Sequence, residues 1–444
     1  LNNTCGVNYL VSGSSGTVDN NFWGSNNKPA VSYSIKLNNW IVLVPTMSND
    51  TILSGSTYDV NLKFMLTTDG KTFTDLNTVV SDLTFDLQSA LGNTFVPEKV
   101  TVSNNEGTFK YQANKDGMEK LSILAGKEVV NLNFEVIDTD PTHIYVATTG
   151  SDTAGDGSKI NPFRSIAKAL TKATNGKCTI FIFDGTYYES ALNLTADVSI
   201  VGMGDNVVID ANNTNYIFAV TANNVNFNIS RLTLANGNAK EGGAIQMGTA
   251  LTDYDANAYI VNVRFINNTA TTSGGAIYNA GGKSIYGNNN LTVVNCIFIN
   301  GKANNAAAIE THSDSTIINS VFRNNTLTSD YGDGAAIRMN GGTTTIEGCV
   351  FENNKAPSDK GTIRVQSGSL NVTYSVFLDS GKSISASSSY YDRVHVDYNF
   401  WGINDKPVSK VDNGITINNW IIVDSKLDTC LLYTSPSPRD RQKS

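Results

Sequence analysis

Gln246, Tyr278, Glu310, Arg338 and Arg364 are the residues in this chain best placed to do chemistry. Each follows an Ile in a recurring Gly-Ala-Ile or Ala-Ala-Ile type of segment, so the five occupy equivalent positions of a repeat. Strand side chains alternate faces, which puts this row on the side opposite the Ile, one residue above another. His312, two places beyond Glu310, shares that face. A carboxylate, an imidazole and two guanidinium groups set together can grip a polar ligand or move protons. The same residues can instead form an outward, solvated Glu–Arg ladder, contributing roughly a few tenths of a kcal/mol per pair. Exposed cross-strand ion pairs are common and weak, which favours the ladder.

Catalytic arrangements find less support. Glycosidic hydrolysis needs two carboxylates set across the bond, and calcium-assisted elimination needs clustered acidic ligands beside a base. There is no Asp-Asp pair and no His-Glu metal spacing, and His occurs only at 143, 312 and 395. No catalytic residue, metal ligand or cofactor is therefore assigned. Asp152 and Asp156 lie in a Gly-rich loop that lacks the bidentate Glu of an EF-hand and reads as a solvated turn. Gly202-x-Gly204 lacks the third Gly and the following helix of a dinucleotide loop.

What must position the row is a repeat. Phe265, Phe298, Phe322, Phe351 and Phe377 each follow a short apolar strand, at spacings of 33, 24, 29 and 26 residues. Two places earlier stand Val263, Cys296, Ser320, Cys349 and Ser375. Alternation points both rows inward, a Phe stack beside a small-residue stack. Asn267, Asn300, Asn324 and Asn353 follow each Phe but the last; Asn tolerates left-handed turns, and stacked amides can bond coil to coil. Such spacing is too loose for a propeller blade but natural for coils with loops of differing length. The expected fold is all-β, a right-handed parallel β-helix built as a single-stranded solenoid. Cys296 and Cys349 fall two coils apart, roughly 9–10 Å, beyond disulfide reach, and are expected as buried thiols. Apolar residues at 163, 166, 167, 170 and 173 predict an amphipathic helix, started by Pro162, that caps the first coil.

Residues 40–140 alternate at period two, as in Tyr58-Asp59-Val60-Asn61-Leu62-Lys63-Phe64, with turn signals at Asp69-Gly70 and Asp116-Gly117. That pattern predicts an antiparallel sandwich. Asn21-Phe22-Trp23-Gly24-Ser25-Asn26 recurs as Asn399-Phe400-Trp401-Gly402-Ile403-Asn404, and Leu37-Asn38-Asn39-Trp40 recurs as Ile417-Asn418-Asn419-Trp420. Trp23 and Trp401 are read as plugs that seal a solenoid end. The expected organisation is the end of a preceding β-helix module over 1–39, a sandwich over 40–140, and a β-helix over 141–425 with a helical cap and an NFWG end-piece. Both ends look cut from something longer. Residues 430–440, CLLYTSPSPRD, resemble one reading frame of a transposon-type sequencing adapter, so 430–444 are expected to be an artefact.

Composition narrows the classes. Charged residues make up 16% and the net charge is −8, with no basic stripe to neutralise phosphates, which argues against nucleic acid and against anionic membrane surfaces. No apolar run approaches the length of a transmembrane segment. Five Cys form no disulfide framework. N-x-S/T sequons, among them Asn193, Asn267 and Asn324, fit an extracellular address.

The GGAI and FxNN motifs resemble those of polymorphic outer-membrane adhesins and related pectate-lyase-like β-helices. The order of leading module, GGAI/FxNN coils, NFWG end-piece and sandwich is similar to the adhesin-like surface proteins of gut methanogenic archaea, whose Ig-like spacers the sandwich resembles. The resemblance implies an extracellular, cell-surface protein that binds a host or microbial glycan or another protein through its β-helix. On that reading Tyr278, Glu310, His312, Arg338 and Arg364 are the candidate ligand contacts. Pectate-lyase-like β-helices also include lyases and hydrolases of acidic polysaccharides, so an enzyme is the alternative, and a purely structural stalk the third reading.

Overall fold

The computed structural model describes residues 15–23, 26–31, 33–125, 128–173, 177–248, 254–280, 289–357 and 360–424. Cys5, Gly24, Ser25 and the 430–444 tail lie outside the described residues. The chain divides into two compact units, residues 1–143 with 158–161, and residues 144–157 with 162–444.

The first unit is a β-sandwich. One sheet pairs Trp40–Met47, Thr57–Thr67, Glu106–Gln112 and Thr94–Val96; the other pairs Ile52–Leu53, Glu128–Ile137, Gly117–Ala125, Leu83–Ser89 and Lys99–Val102. The period-two pattern decides which side chains go inside: Tyr58, Val60, Leu62 and Phe64 are buried while Asp59 and Asn61 face water. Phe64, Phe85, Phe109, Leu121 and Ile123 close the core between the sheets. Glu119 is buried there as well, accepting from Ser89 Oγ (2.5 Å), Asn93 Nδ2 (3.0 Å) and Tyr111 OH (2.8 Å). A buried carboxylate is tolerated because these donors replace its water.

The second unit is a parallel β-helix. Among the described residues 22 strands form one continuous sheet, and Asn238–Glu241, Thr269–Ser273, Lys302–Ala303 and Thr326–Leu327 form a second of four; the pairings from coil to coil are parallel. Ile245, Ile277, Ile309, Ile337, Ile363 and Ile384 stand in register across six strands. Inside, Phe265, Phe298, Phe322, Phe351 and Phe377 stack with ring centroids 4.5, 4.8, 4.9 and 4.8 Å apart and planes within 7°. That spacing is imposed by the strand-to-strand distance of a sheet. Trp401 extends the stack, 4.9 Å beyond Phe377, and is fully buried; Trp23 is half-buried in the first unit. The small-residue row is hydrogen bonded: Cys296 N donates to Ser320 Oγ, Ser320 N to Cys349 Sγ, and Cys349 N to Ser375 Oγ. Both cysteines are free thiols whose burial pushes them up to about 12.

Two local expectations need correction. The helix is short, Ile166–Leu170, and is started by Ser165 and not by Pro162; Ser165 Oγ accepts from Lys168 N. Glu189, from the following coil, accepts from Ile166 N (2.7 Å) and Ala167 N (2.8 Å), satisfying two donors that a helix start leaves unmade. Ala167 faces solvent, so the buried face is Phe163, Ile166, Ala169 and Ala173.

The Asn row also divides in two. Asn267, Asn300, Asn324 and Asn353 hold left-handed φ of 56–58° and face outward. Asn300 Nδ2 donates to Asn267 Oδ1 (3.1 Å), and Asn267 Nδ2 to Asn236 Oδ1 (3.4 Å). The buried ladder is the next residue along, Asn268, Asn325 and Asn354. Each inner amide donates to the carbonyl of the coil before, at Leu234, Phe298 and Phe322. Asn325 N donates to Asn354 Oδ1 in turn.

Candidate functional site

A sharp corner precedes each Ile strand. Gly242, Gly274, Ala306, Gly334 and Gly361 take left-handed φ between 45° and 67° at this corner. At Gly274 a Cβ would lie 2.4 Å from the Ile277 carbonyl oxygen, so that corner is closed to a side chain, although its counterpart Ala306 carries one. The chain turns there, and outward side chains before the corner lie against outward side chains after it, Ser273 by Glu310 and Asp333 by Arg364. Glu241, Ser273, Asn305 and Asp333 form the row before it; Gln246, Tyr278, Glu310, Arg338 and Arg364 form the row after it.

This geometry corrects the expectation of a solvated ladder. Tyr278 is 4% exposed and Glu310 only 2%. They point away from the apolar core, as strand parity requires, yet the folded-back corner covers them. Glu310 Oε1 accepts from Arg338 Nη1 at 2.9 Å and from Asn340 Nδ2 at 2.5 Å, with His312 Nε2 at 3.2 Å. Tyr278 packs its ring 5.4 Å from that of His312. Arg364 lies one coil further on, its Nε 4.0 Å from Asp333 Oδ2 and its Nη2 3.2 Å from Ser387 Oγ. The structure therefore gathers Tyr278, Glu310, His312 and Arg338 into one cluster and leaves Arg364 beside it.

Burial opposes ionisation of Glu310, but the His312 contact and the Arg338 charge outweigh it and hold the carboxyl below its ordinary range. The Ser273 hydroxyl adds to the same effect. Burial, with the Glu241 and Glu310 charges, pushes the Tyr278 phenol up, so it stays protonated. Among the described residues, Arg338 Nε and Arg364 Nε are buried without a hydrogen-bond partner. An ionised acceptor beside two guanidinium donors matches vicinal hydroxyls or a carboxylate on a ligand. An ionised Glu310 is poorly suited to act as a general acid.

Asn340 escaped the sequence reading, although its position two places beyond Arg338 mirrors that of His312 beyond Glu310. Glu241, Ser273 and Asp333 escaped it too, because nothing in strand alternation reports the fold-back of a left-handed corner. A second polar surface, an open trough of about 470 Å³, is lined by Asn236, Asn267, Thr269, Asn300, Lys302 and Asn324 among others. Among the described residues no group of three or more His, Cys, Asp or Glu side chains is placed to hold a metal ion. No described helix is long and apolar enough to cross a membrane, which says nothing of β-barrels.

A parallel β-helix with repeated corner and Phe motifs is the class of architecture these observations define. Within it, residues 262–280 match the Chlamydia polymorphic membrane protein repeat. That stretch runs from the strand bearing Phe265 through Asn267 and the Gly274 corner to Tyr278 and Asn279, one end of the polar strip. The chain is also 30% identical over 257 residues to the metabotropic glutamate receptor-like protein P of Dictyostelium discoideum, covering 55% of this chain and 17% of that protein. The chain thus spans less than a fifth of the curated relative it matches. No solved structure matches it significantly.

Proposed function

We propose that this chain acts as a cell-surface, adhesin-like repeat protein that binds an extracellular glycan or protein through the outer face of its β-helix. The observation that carries this reading is the row of charged and aromatic groups, Tyr278, Glu310, His312, Arg338 and Arg364, that successive coils set side by side on the face away from the apolar core. A match to a repeat of polymorphic membrane proteins and a receptor-like relative support display at a surface. Among the ligands that fit, a saccharide is favoured, because an ionised acceptor beside fixed donors pairs with adjacent hydroxyls or a uronic carboxylate. The sandwich then serves as an Ig-like spacer.

The test is to apply the purified chain to an array of neutral and acidic glycans and to incubate it with uronic-acid polymers. Binding without new reducing or unsaturated ends supports the reading. Turnover of the polymer overturns it in favour of a polysaccharide-active enzyme. Absence of both binding and turnover, on glycans and on extracellular protein ligands, leaves a structural stalk.

A further inference from the structure

The duplicated end-piece repeats in its hydrogen bonds as well as its sequence. In the first copy Asp19 Oδ1 accepts from Asn38 N (2.7 Å) and Asn39 N (3.3 Å); in the second, Asp397 Oδ1 accepts from Asn418 N (2.7 Å) and Asn419 N (3.0 Å). Asn26 brackets Leu43, accepting from its N–H and donating to its carbonyl, and Asn404 brackets Val423 in the same way. Trp40 Nε1 donates to the Asn26 carbonyl and Trp420 Nε1 to that of Asn404. The Ile41 and Ile421 amides donate to Asn21 O and Asn399 O, each at 2.9 Å. The two copies are one local structure.

What surrounds them differs. In the first copy Ile41, Val42 and Leu43 are 3%, 1% and 0% exposed, because Trp40–Met47 is the opening strand of the sandwich, paired along its length with Thr57–Thr67. Phe22 packs onto the same core, 4.8 Å from Phe64. In the second copy the counterparts Ile421, Ile422 and Val423 are 40%, 56% and 58% exposed. Among the described residues, only the bridge between Asn399 and Trp420 pairs this segment with another strand. Trp401 meanwhile is buried against Phe377, at the end of the β-helix stack. Adjacent residues of an extended segment face opposite sides. The Phe-Trp pair therefore has two faces: Trp closes the β-helix, and Phe, as Phe22 does, belongs to a sandwich core.

We propose that residues 420–423, with Phe400, are a preformed first strand and docking surface for a β-sandwich domain of the kind built by residues 40–138. Three consecutive apolar residues held extended, with an open edge, invite strand pairing. The first copy shows which partner fits: an antiparallel strand equivalent to Thr57–Thr67 and an aromatic core equivalent to Phe64 and Phe85.

The experiment extends the full chain by joining a second copy of residues 44–138 directly after Val423 and follows amide hydrogen exchange. In the unextended chain the Ile422 amide exchanges freely while that of Val42, on the paired strand, is protected; the 421 and 423 amides are already bonded to Asn399 and Asn404. In the extended chain exchange at Ile422 falls to the rate seen at Val42. Ile421→Asp leaves the unfolding midpoint of the unextended chain unchanged, but abolishes the cooperative transition of the added sandwich. Three results overturn the proposal. One is an added sandwich that folds while the Ile422 amide still exchanges freely. Another is an Ile421→Asp substitution without effect on the extended chain. The third is an added copy that stays unfolded when a control copy carrying its own residues 18–43 folds.

Discussion

Glu310 shows why the polar strip is more than a ladder of weak pairs. With Glu310 bonded to Arg338 and Asn340, removing the carboxylate leaves the Arg338 guanidinium, itself 20% exposed, without its counter-charge. Glu310→Ala is expected to cost about 3 kcal/mol, read as a shift in the urea midpoint. The pH dependence has a definite sign. Glu310 and Glu119 both titrate below their ordinary value of 4.5 in the folded chain. The unfolded chain thus takes up protons first as pH falls, so their stabilisation is complete above about 5 and is lost on acidification through the folded values. Unfolding midpoints that rise between pH 6 and pH 3 contradict these assignments. At this scale the row itself was legible, since parity from the Ile strand fixes it. Its burial was not, because the covering side chains come from across a corner that alternation cannot see.

Among the elements, the inner amide ladder runs Asn268, Asn325, Asn354 and ends in Asp379. Asp379 Oδ1 accepts from Asn354 N (2.7 Å) and Oδ2 from Thr362 Oγ1 (2.6 Å), yet burial raises its pKa above the ordinary 3.8. A raised carboxylate pKa means that the charged form is disfavoured in the fold, so stability is lost as pH rises through the folded value. Asp379→Asn keeps the acceptor and adds a donor aimed, as in the coils before it, at a carbonyl of the preceding coil. It is expected to stabilise the β-helix by about 1 kcal/mol at pH 7, with the gain shrinking toward pH 4. A loss of stability at pH 7 rules this account out. Within the Phe stack, Phe322→Ala in the middle is expected to cost about 4 kcal/mol by leaving a void flanked by two rings that cannot collapse onto each other. The stack was readable because its period is that of the coil. The inner Asn ladder was missed because adjacent Asn residues at 267–268 and 324–325 look alike in sequence, and only the left-handed φ of the first turns the second inward. The helix start was misplaced for a related reason: its donors are satisfied by Ser165 and by Glu189 from a later coil, and no local pattern around Pro162 records the second.

For the whole molecule, the repeat explains both stability and recognition. Each coil buries its apolar row only against its neighbours, so order propagates along the stack, and outward rows are copied at the same spacing. That places like positions of successive coils about 4.8 Å apart, a scale on which extended polymers can be followed along a surface. The parallel β-helix could be read from the sequence because every coil restates it, while the ligand could not, since a single chain carries one copy of the strip. The measurement that most directly tests the binding role of this strip compares affinities for the strongest array ligand between the parent chain and Arg364→Ala. Arg364 sits beside the cluster without holding Glu310, so its loss should leave the melting temperature within about 2 °C. A charged hydrogen bond to ligand contributes roughly 1.5–3 kcal/mol, so the dissociation constant should rise by at least about tenfold. An unchanged dissociation constant, at unchanged melting temperature, would contradict the role assigned to the strip.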